Sequence, residues 1–157
     1  MHNTPVGDIL LVEEDGSLKK IHILQGAPDS DSIQSRLEEL DSDVNYQDTP
    51  FLNLIEAQLR EYFAGERQVF DIKLQFEGTD FQKQVWNVIA STPFGKTISY
   101  GEIADKIGKP KASRAIGNAC GKNPLPIVVP CHRVLAANGR FDVLVFPKIT
   151  DTVAQFC

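Results

Sequence analysis

Cysteine is scarce and poorly spaced for cross-linking: Cys120, Cys131 and Cys157 are odd in number and form no CxxC pair. That excludes a secreted disulfide framework and the usual ligand spacing of a structural zinc site. Long apolar runs are also missing, since no stretch nears the roughly 20 residues that span a bilayer. The opening residues set Asp8 and Glu13 around a short apolar segment, without the basic and hydrophobic regions of a secretory signal. A cytoplasmic or otherwise intracellular chain (nucleoid or nucleus) with reduced thiols and no membrane association is expected. Basic residues are the minority, 16 against 21 acidic, for a net charge of -5. Taken as a total, that balance argues against a polyanionic partner.

The total hides a strong asymmetry. Residues 1–81 hold 6 basic and 17 acidic side chains, residues 82–140 hold 9 and 2, and residues 141–157 hold 1 and 2. The middle segment is therefore +7 by difference, the balance of a phosphate-binding module joined to an acidic one. The length of 157 residues accommodates one ordinary domain or two small ones, with a core that needs neither disulfides nor a metal.

Periodicity divides the chain further. Ile9–Val12 and Leu18–Leu24 read as strands joined by a turn at Glu13, Glu14, Asp15 and Gly16. Ile33, Leu37 and Leu40 fall at helical spacing over 32–40, and Phe51, Ile55, Leu59 and Tyr62 repeat it before a stop at Gly65. A strand is predicted over 69–76. Thr79 or Asp80 then caps a helix carrying Phe81, Val85, Trp86 and Ile89, with Trp86 as a core anchor.

Ser99, Tyr100, Gly101 and Glu102 form a capping box for a helix that Gly108 stops. A second helix is predicted close behind, with Pro110 in its first turn and Ala112, Ala115, Ile116 and Ala119 as a thin apolar face before Gly121. Two short helices with a tight Gly-containing joint are the pattern of a helix-turn-helix. The second is built of small residues around one long cation, Arg114. Such a helix suits close approach to a groove, and equally suits alanine-rich packing with a solvated arginine.

Residues 123–134 read NPLPIVVPCHRV, an apolar run predicted to be a buried strand that ends at Cys131. A thiol there, beside His132 and Arg133, is placed for a lowered pKa and a favoured thiolate. Neighbours on a strand point to opposite faces, so His132 would act on Cys131 through a bound water and would want a carboxylate to orient it. No carboxylate lies nearby in sequence. A packing cysteine beside a structural histidine fits the same dipeptide, and the residues alone leave both readings open.

In order, the segments GTDFQKQVW from Gly78, PFGKTISYGEIA from Pro93, IGKPKASRAIG from Ile107 and NPLPIVVPCHRVLAANGR from Asn123 resemble the O6-alkylguanine-DNA alkyltransferases, or methylated-DNA protein-cysteine methyltransferases. TPVGDILLV and YFAGE extend the likeness toward the N-terminus. The resemblance implies an α/β (α+β) fold: a ribonuclease-H-like α/β domain over 1–76, a winged helix-turn-helix DNA-binding and active-site domain over 77–140, and a divergent tail over 141–157.

It implies a monomer that binds double-stranded DNA through the minor groove and flips out O6-alkylguanine, and also O4-alkylthymine. Cys131 would be the alkyl acceptor, His132 its base through water, and Asn123 the organiser of the active-site turn. Tyr100 would promote base rotation and Arg114 would fill the gap left by the base. Val134 would wall the guanine pocket, with Lys111, Ala112 and Ser113 against DNA and Arg133 structural. The thioether product is stable, so the protein is consumed in one turnover, and neither cofactor nor metal is implied.

After Arg140 the likeness ends. The family continues with a GGxSGG loop and a helix bearing the glutamate that completes a Cys, His, Glu arrangement, whereas this chain reads FDVLVFPKITDTVAQFC. Loss of a donor to the departing oxygen and of the carboxylate behind His132 is expected to slow transfer. A lesion-binding, base-flipping module without transfer is thus the second reading. An ordinary helix-turn-helix regulator leaves PCHR unexplained.

Overall fold

The computed structural model describes residues 1–2, 4–24, 47–136 and 139. The predicted helix over 32–40, the tail from Arg140 and Cys157 lie outside them. Strands β1 (Asp8–Glu14) and β2 (Ser17–Leu24) form an antiparallel hairpin, and helix α1 (Pro50–Phe63) follows. Helices α2 (Asp80–Ala90), α3 (Tyr100–Lys106) and α4 (Ser113–Gly121) make up the second half. A two-residue parallel pair, β3 (Ile98–Ser99) with β4 (Val134–Leu135), ties that half together.

Local signals explain most of these elements. The hairpin turns on Asp15 and Gly16, both at positive φ (50° and 66°), the geometry that matches strand twist in a two-residue loop. Thr49 caps α1 by accepting from the Leu52 amide, with Pro50 at the helix start. Thr79 and Gln82 close a capping box on α2, and Ser99 and Glu102 close one on α3. Trp86 is buried and donates from Nε1 to Ala119 O at 2.8 Å, clamping α2 to α4. Gly78 leaves room for it: a β-carbon there would lie 2.8 Å from the indole ring.

Three predicted features differ. Residues 69–76 alternate as a strand should, with Phe70, Ile72, Leu74 and Phe76 half-buried, but among the described residues the backbone makes only a single bridge, Leu74 to Leu18. The buried side chain of Gln58 substitutes for a strand partner, donating to Asp71 O at 3.1 Å and accepting from Asp71 N at 2.8 Å. Pro110 sits in the connection before α4, which begins at Ser113. The run Leu125–Val129 is buried yet wound into turns, with Val129 N donating to Leu125 O at 2.8 Å and Ile127 at φ 77°. Pro126 and Pro130 offer no amide to a sheet, so the segment closes on itself.

One continuous core joins the halves, from Ile9, Leu18 and Ile21 through Ile55 and Leu59 to Trp86, Ile103, Ile116 and Val129. The hairpin also reaches the segment before Cys131, because Ile21 N donates to Pro124 O at 2.9 Å.

Candidate active site

Cys131 opens a 3-10 turn, Cys131–Arg133, that follows the wound apolar segment and leads into β4. Its thiol is buried, at 5 % exposure. Asn123, also buried, is the hub of the surrounding loop. Its Nδ2 donates to Cys131 Sγ at 3.1 Å and to Val129 O at 2.9 Å, and its Oδ1 accepts from Leu125 N at 2.9 Å. One side chain thus satisfies the loop's backbone at both ends and holds the sulfur.

The sequence predicts a thiolate favoured by neighbouring cations, and the structure reverses that. The neighbouring thiol of Cys120, then burial, then the charge Cys120 would carry push Cys131 well above its ordinary pKa, while Asn123 opposes the rise. His132 is pushed down to about 3, chiefly by burial and then by the Arg133 charge. The resting pair is therefore a thiol and a neutral imidazole. Arg133 turns away from the sulfur: its guanidinium lies over the Phe94 ring, 5.0 Å from the centroid, and lines a cavity of about 260 Å³ with Phe70, Ile127 and Pro130.

His132 Nε2 is buried and has no hydrogen-bond partner among the described residues. Asp142 and Asp151, the only carboxylates of the tail, lie outside them.

The other expected residues fall into two groups. Val134 is buried in β4 and pairs with Ile98, which brings the segment after Cys131 alongside Ser99 and the start of α3. Tyr100, the first residue of α3, is buried against α4, where a β-carbon on Gly117 would stand 3.7 Å from its ring and hydroxyl. Lys111, Ser113 and Arg114 are exposed at the N-terminal end of α4, with Ala112 half-buried at its N-cap. That helix start carries no side-chain cap and no acid in its first turn, so its open amides and the adjacent cations favour an anion.

No group of three His, Cys, Asp or Glu side chains suited to a metal occurs among the described residues. No helix there is long and apolar enough to cross a membrane. Cys120 is the neighbour that sequence reasoning took for simple packing. Its position four residues after Ile116, on the buried face of α4, was the available signal.

Two family models match: the 6-O-methylguanine DNA methyltransferase ribonuclease-like domain over residues 1–76 and the DNA-binding domain of the same family over 80–144. The chain belongs to the 6-O-methylguanine DNA methyltransferase family. A methylated-DNA–protein-cysteine methyltransferase of Methanosarcina acetivorans is 46% identical over 137 residues, covering 87% of this chain and 82% of that protein. The solved O6-methylguanine methyltransferase of Mycobacterium tuberculosis is 35% identical with a TM-score of 0.76, covering 98% of this chain and 90% of that one. The same bacterium's protein solved in complex with DNA is 34% identical, TM-score 0.72, over 96% and 91% of the two chains. The fold of this family is mixed α/β, a ribonuclease-like domain followed by a winged helix-turn-helix that binds DNA.

Proposed function

We propose that this chain repairs DNA by a single stoichiometric transfer of an alkyl group, methyl in the simplest case, from O6 of guanine to Cys131 Sγ. O4-alkylthymine is accepted by the same chemistry. The observation that carries the reading is the Asn123 Nδ2 donation to Cys131 Sγ at 3.1 Å inside a buried turn, which aims and steadies a sulfur nucleophile. Displacement at an unactivated alkyl carbon calls for a soft, strong nucleophile, which thiolate supplies.

The exposed face of α4 enters the minor groove of duplex DNA, with Lys111, Ala112 and Ser113 against the backbone. Arg114 fills the place of the flipped base, and Tyr100 promotes its rotation. The extruded guanine stacks beside Val134. A water passes the Cys131 proton to His132, the bond from sulfur to the alkyl carbon forms as the bond from that carbon to O6 breaks, and the electron pair leaves on O6, which becomes the carbonyl of guanine as the base takes a proton at N1. The S-alkylcysteine is stable, so the monomer is used once. Support comes from family membership and from an Arg114 that is exposed and makes no ion pair among the described residues.

The depressed basicity of His132 means that proton removal is uphill at rest. The second reading, recognition and flipping with transfer impaired, is favoured by the tail after Arg140, which reads FDVLVFPKITDTVAQFC without a glycine-rich loop or a glutamate. Incubation with a duplex containing O6-methylguanine, followed by mass analysis of the Cys131 peptide, separates the two. A gain of one methyl group, abolished by Cys131→Ala with binding retained, supports transfer. Binding without any mass gain leaves the recognition module standing.

A further inference from the structure

We propose that the cavity of about 260 Å³ beside the turn of Cys131 is a binding site for a small carboxylate with a flat apolar body, held by the guanidinium of Arg133. Arg133 is 5 % exposed, and its Nε is buried without a hydrogen-bond partner among the described residues. It makes no ion pair among the described residues either. A guanidinium keeps its charge at any ordinary pH, so its burial is not relieved by losing a proton. A buried charge calls for a counter-charge, and the Phe94 ring meets only part of that need, because it offers no lone pair to the N–H groups.

The rest of the lining selects the kind of anion. Phe70, Ile72 and Ile127 make the walls apolar, and no Asp or Glu is among the described residues that form them. Ser91 and Thr92 also line the cavity, but their hydroxyls already donate to Val88 O, at 2.7 and 3.3 Å. The guanidinium is therefore the donor that a ligand meets, and a carboxylate matches its fork with two oxygens. A cavity of about 150 Å³ is enough for benzene, so one of about 260 Å³ takes a ring that carries a carboxylate. Gln68 and Val69 belong to the lining and are exposed, which opens the cavity to solvent.

The site is separate from the acceptor sulfur. Neither Cys131 nor His132 lines the cavity, but Pro130 and Arg133 on either side of them do, so a ligand there packs against both ends of the turn that carries the sulfur. Carboxylate binding does not depend on the transfer reading given above.

The test is isothermal titration calorimetry of the full chain at pH 7, with benzoate as the probe and benzamide, the same ring without the charge, as its control. The expected result is saturable binding of benzoate at least about ten-fold tighter than that of benzamide, the margin of a charge-assisted pair over a neutral contact. The Arg133 Nε–H resonance should shift as benzoate saturates the protein. Arg133→Met places an apolar side chain of similar length where the buried charge was, and should bring benzoate down to the benzamide level in a protein whose melting curve shows it folded. Three results overturn the proposal: no saturable benzoate binding, equal affinity for the two probes, or benzoate binding unchanged in folded Arg133→Met. The comparison of the two probes on the unaltered chain decides the matter without the variant. Benzoate bound by a chain that never accepts methyl leaves this site standing and removes only the transfer reading. Methyl transfer by a chain that binds no benzoate does the reverse.

Discussion

Asn123→Ala is the most informative single change, because one side chain makes three buried hydrogen bonds: to Cys131 Sγ, to Val129 O and from Leu125 N. At about 0.5–1.5 kcal/mol net for each bond, their loss costs roughly 1.5–4.5 kcal/mol. The upper half of that range is expected, since Leu125 and Val129 are both 0 % exposed and their orphaned backbone groups have no route to water. Urea unfolding at pH 7 should show a lower midpoint at unchanged slope. A loss of about 3 kcal/mol corresponds to roughly 6–12 °C in Tm for a chain of this size.

Removing the donor should also raise the pH at which Cys131 reacts with a thiol reagent, because Asn123 is the group that opposes the rise in its pKa. Asn123→Asp should be worse on both counts, placing an acceptor against the Val129 carbonyl and the sulfur. A stability loss below about 1 kcal/mol would refute the loop accounting. A stability loss with no change in the thiol's pH profile would reduce Asn123 to a brace.

His132 makes acid stability a second readout. Its folded pKa of about 3 lies below the ordinary 6.5, so between those values the unfolded chain binds a proton that the folded chain refuses. Stability should fall with decreasing pH across that window, by up to about 1.4 kcal/mol per unit, and level off below it. His132→Gln should flatten this contribution in denaturant titrations between pH 6.5 and 3, and an unchanged slope would contradict the buried, neutral imidazole. Arg114→Ala should leave stability within about 0.5 kcal/mol, because the residue is exposed and makes no ion pair among the described residues. Anisotropy should show weaker binding to a lesion-containing duplex, and unchanged affinity would remove Arg114 from the interface.

The local elements of this chain are legible in its sequence because their causes are local. Thr79 with Gln82 and Ser99 with Glu102 close capping boxes three residues apart, and Asp15 with Gly16 sets the hairpin, so neighbouring residues suffice to place the start of each element. The +7 segment and the PCHR tetrapeptide likewise point to a polyanion and to a thiol without any tertiary information.

The fate of the two predicted strands and the state of the thiol depend on partners far along the chain. Gln58 takes the backbone of Asp71 from a helix 13 residues earlier, and Asn123 does the same for Leu125 and Val129, so alternating or apolar runs find their hydrogen bonds outside a sheet. Adjacent cations predicted a lowered Cys131 pKa, but burial and the Cys120 thiol govern it. Sequence determined which sulfur and which helices are present. Only the fold decided that the sulfur rests protonated beside a second thiol, because desolvation and non-local hydrogen bonds exist only once the chain has packed.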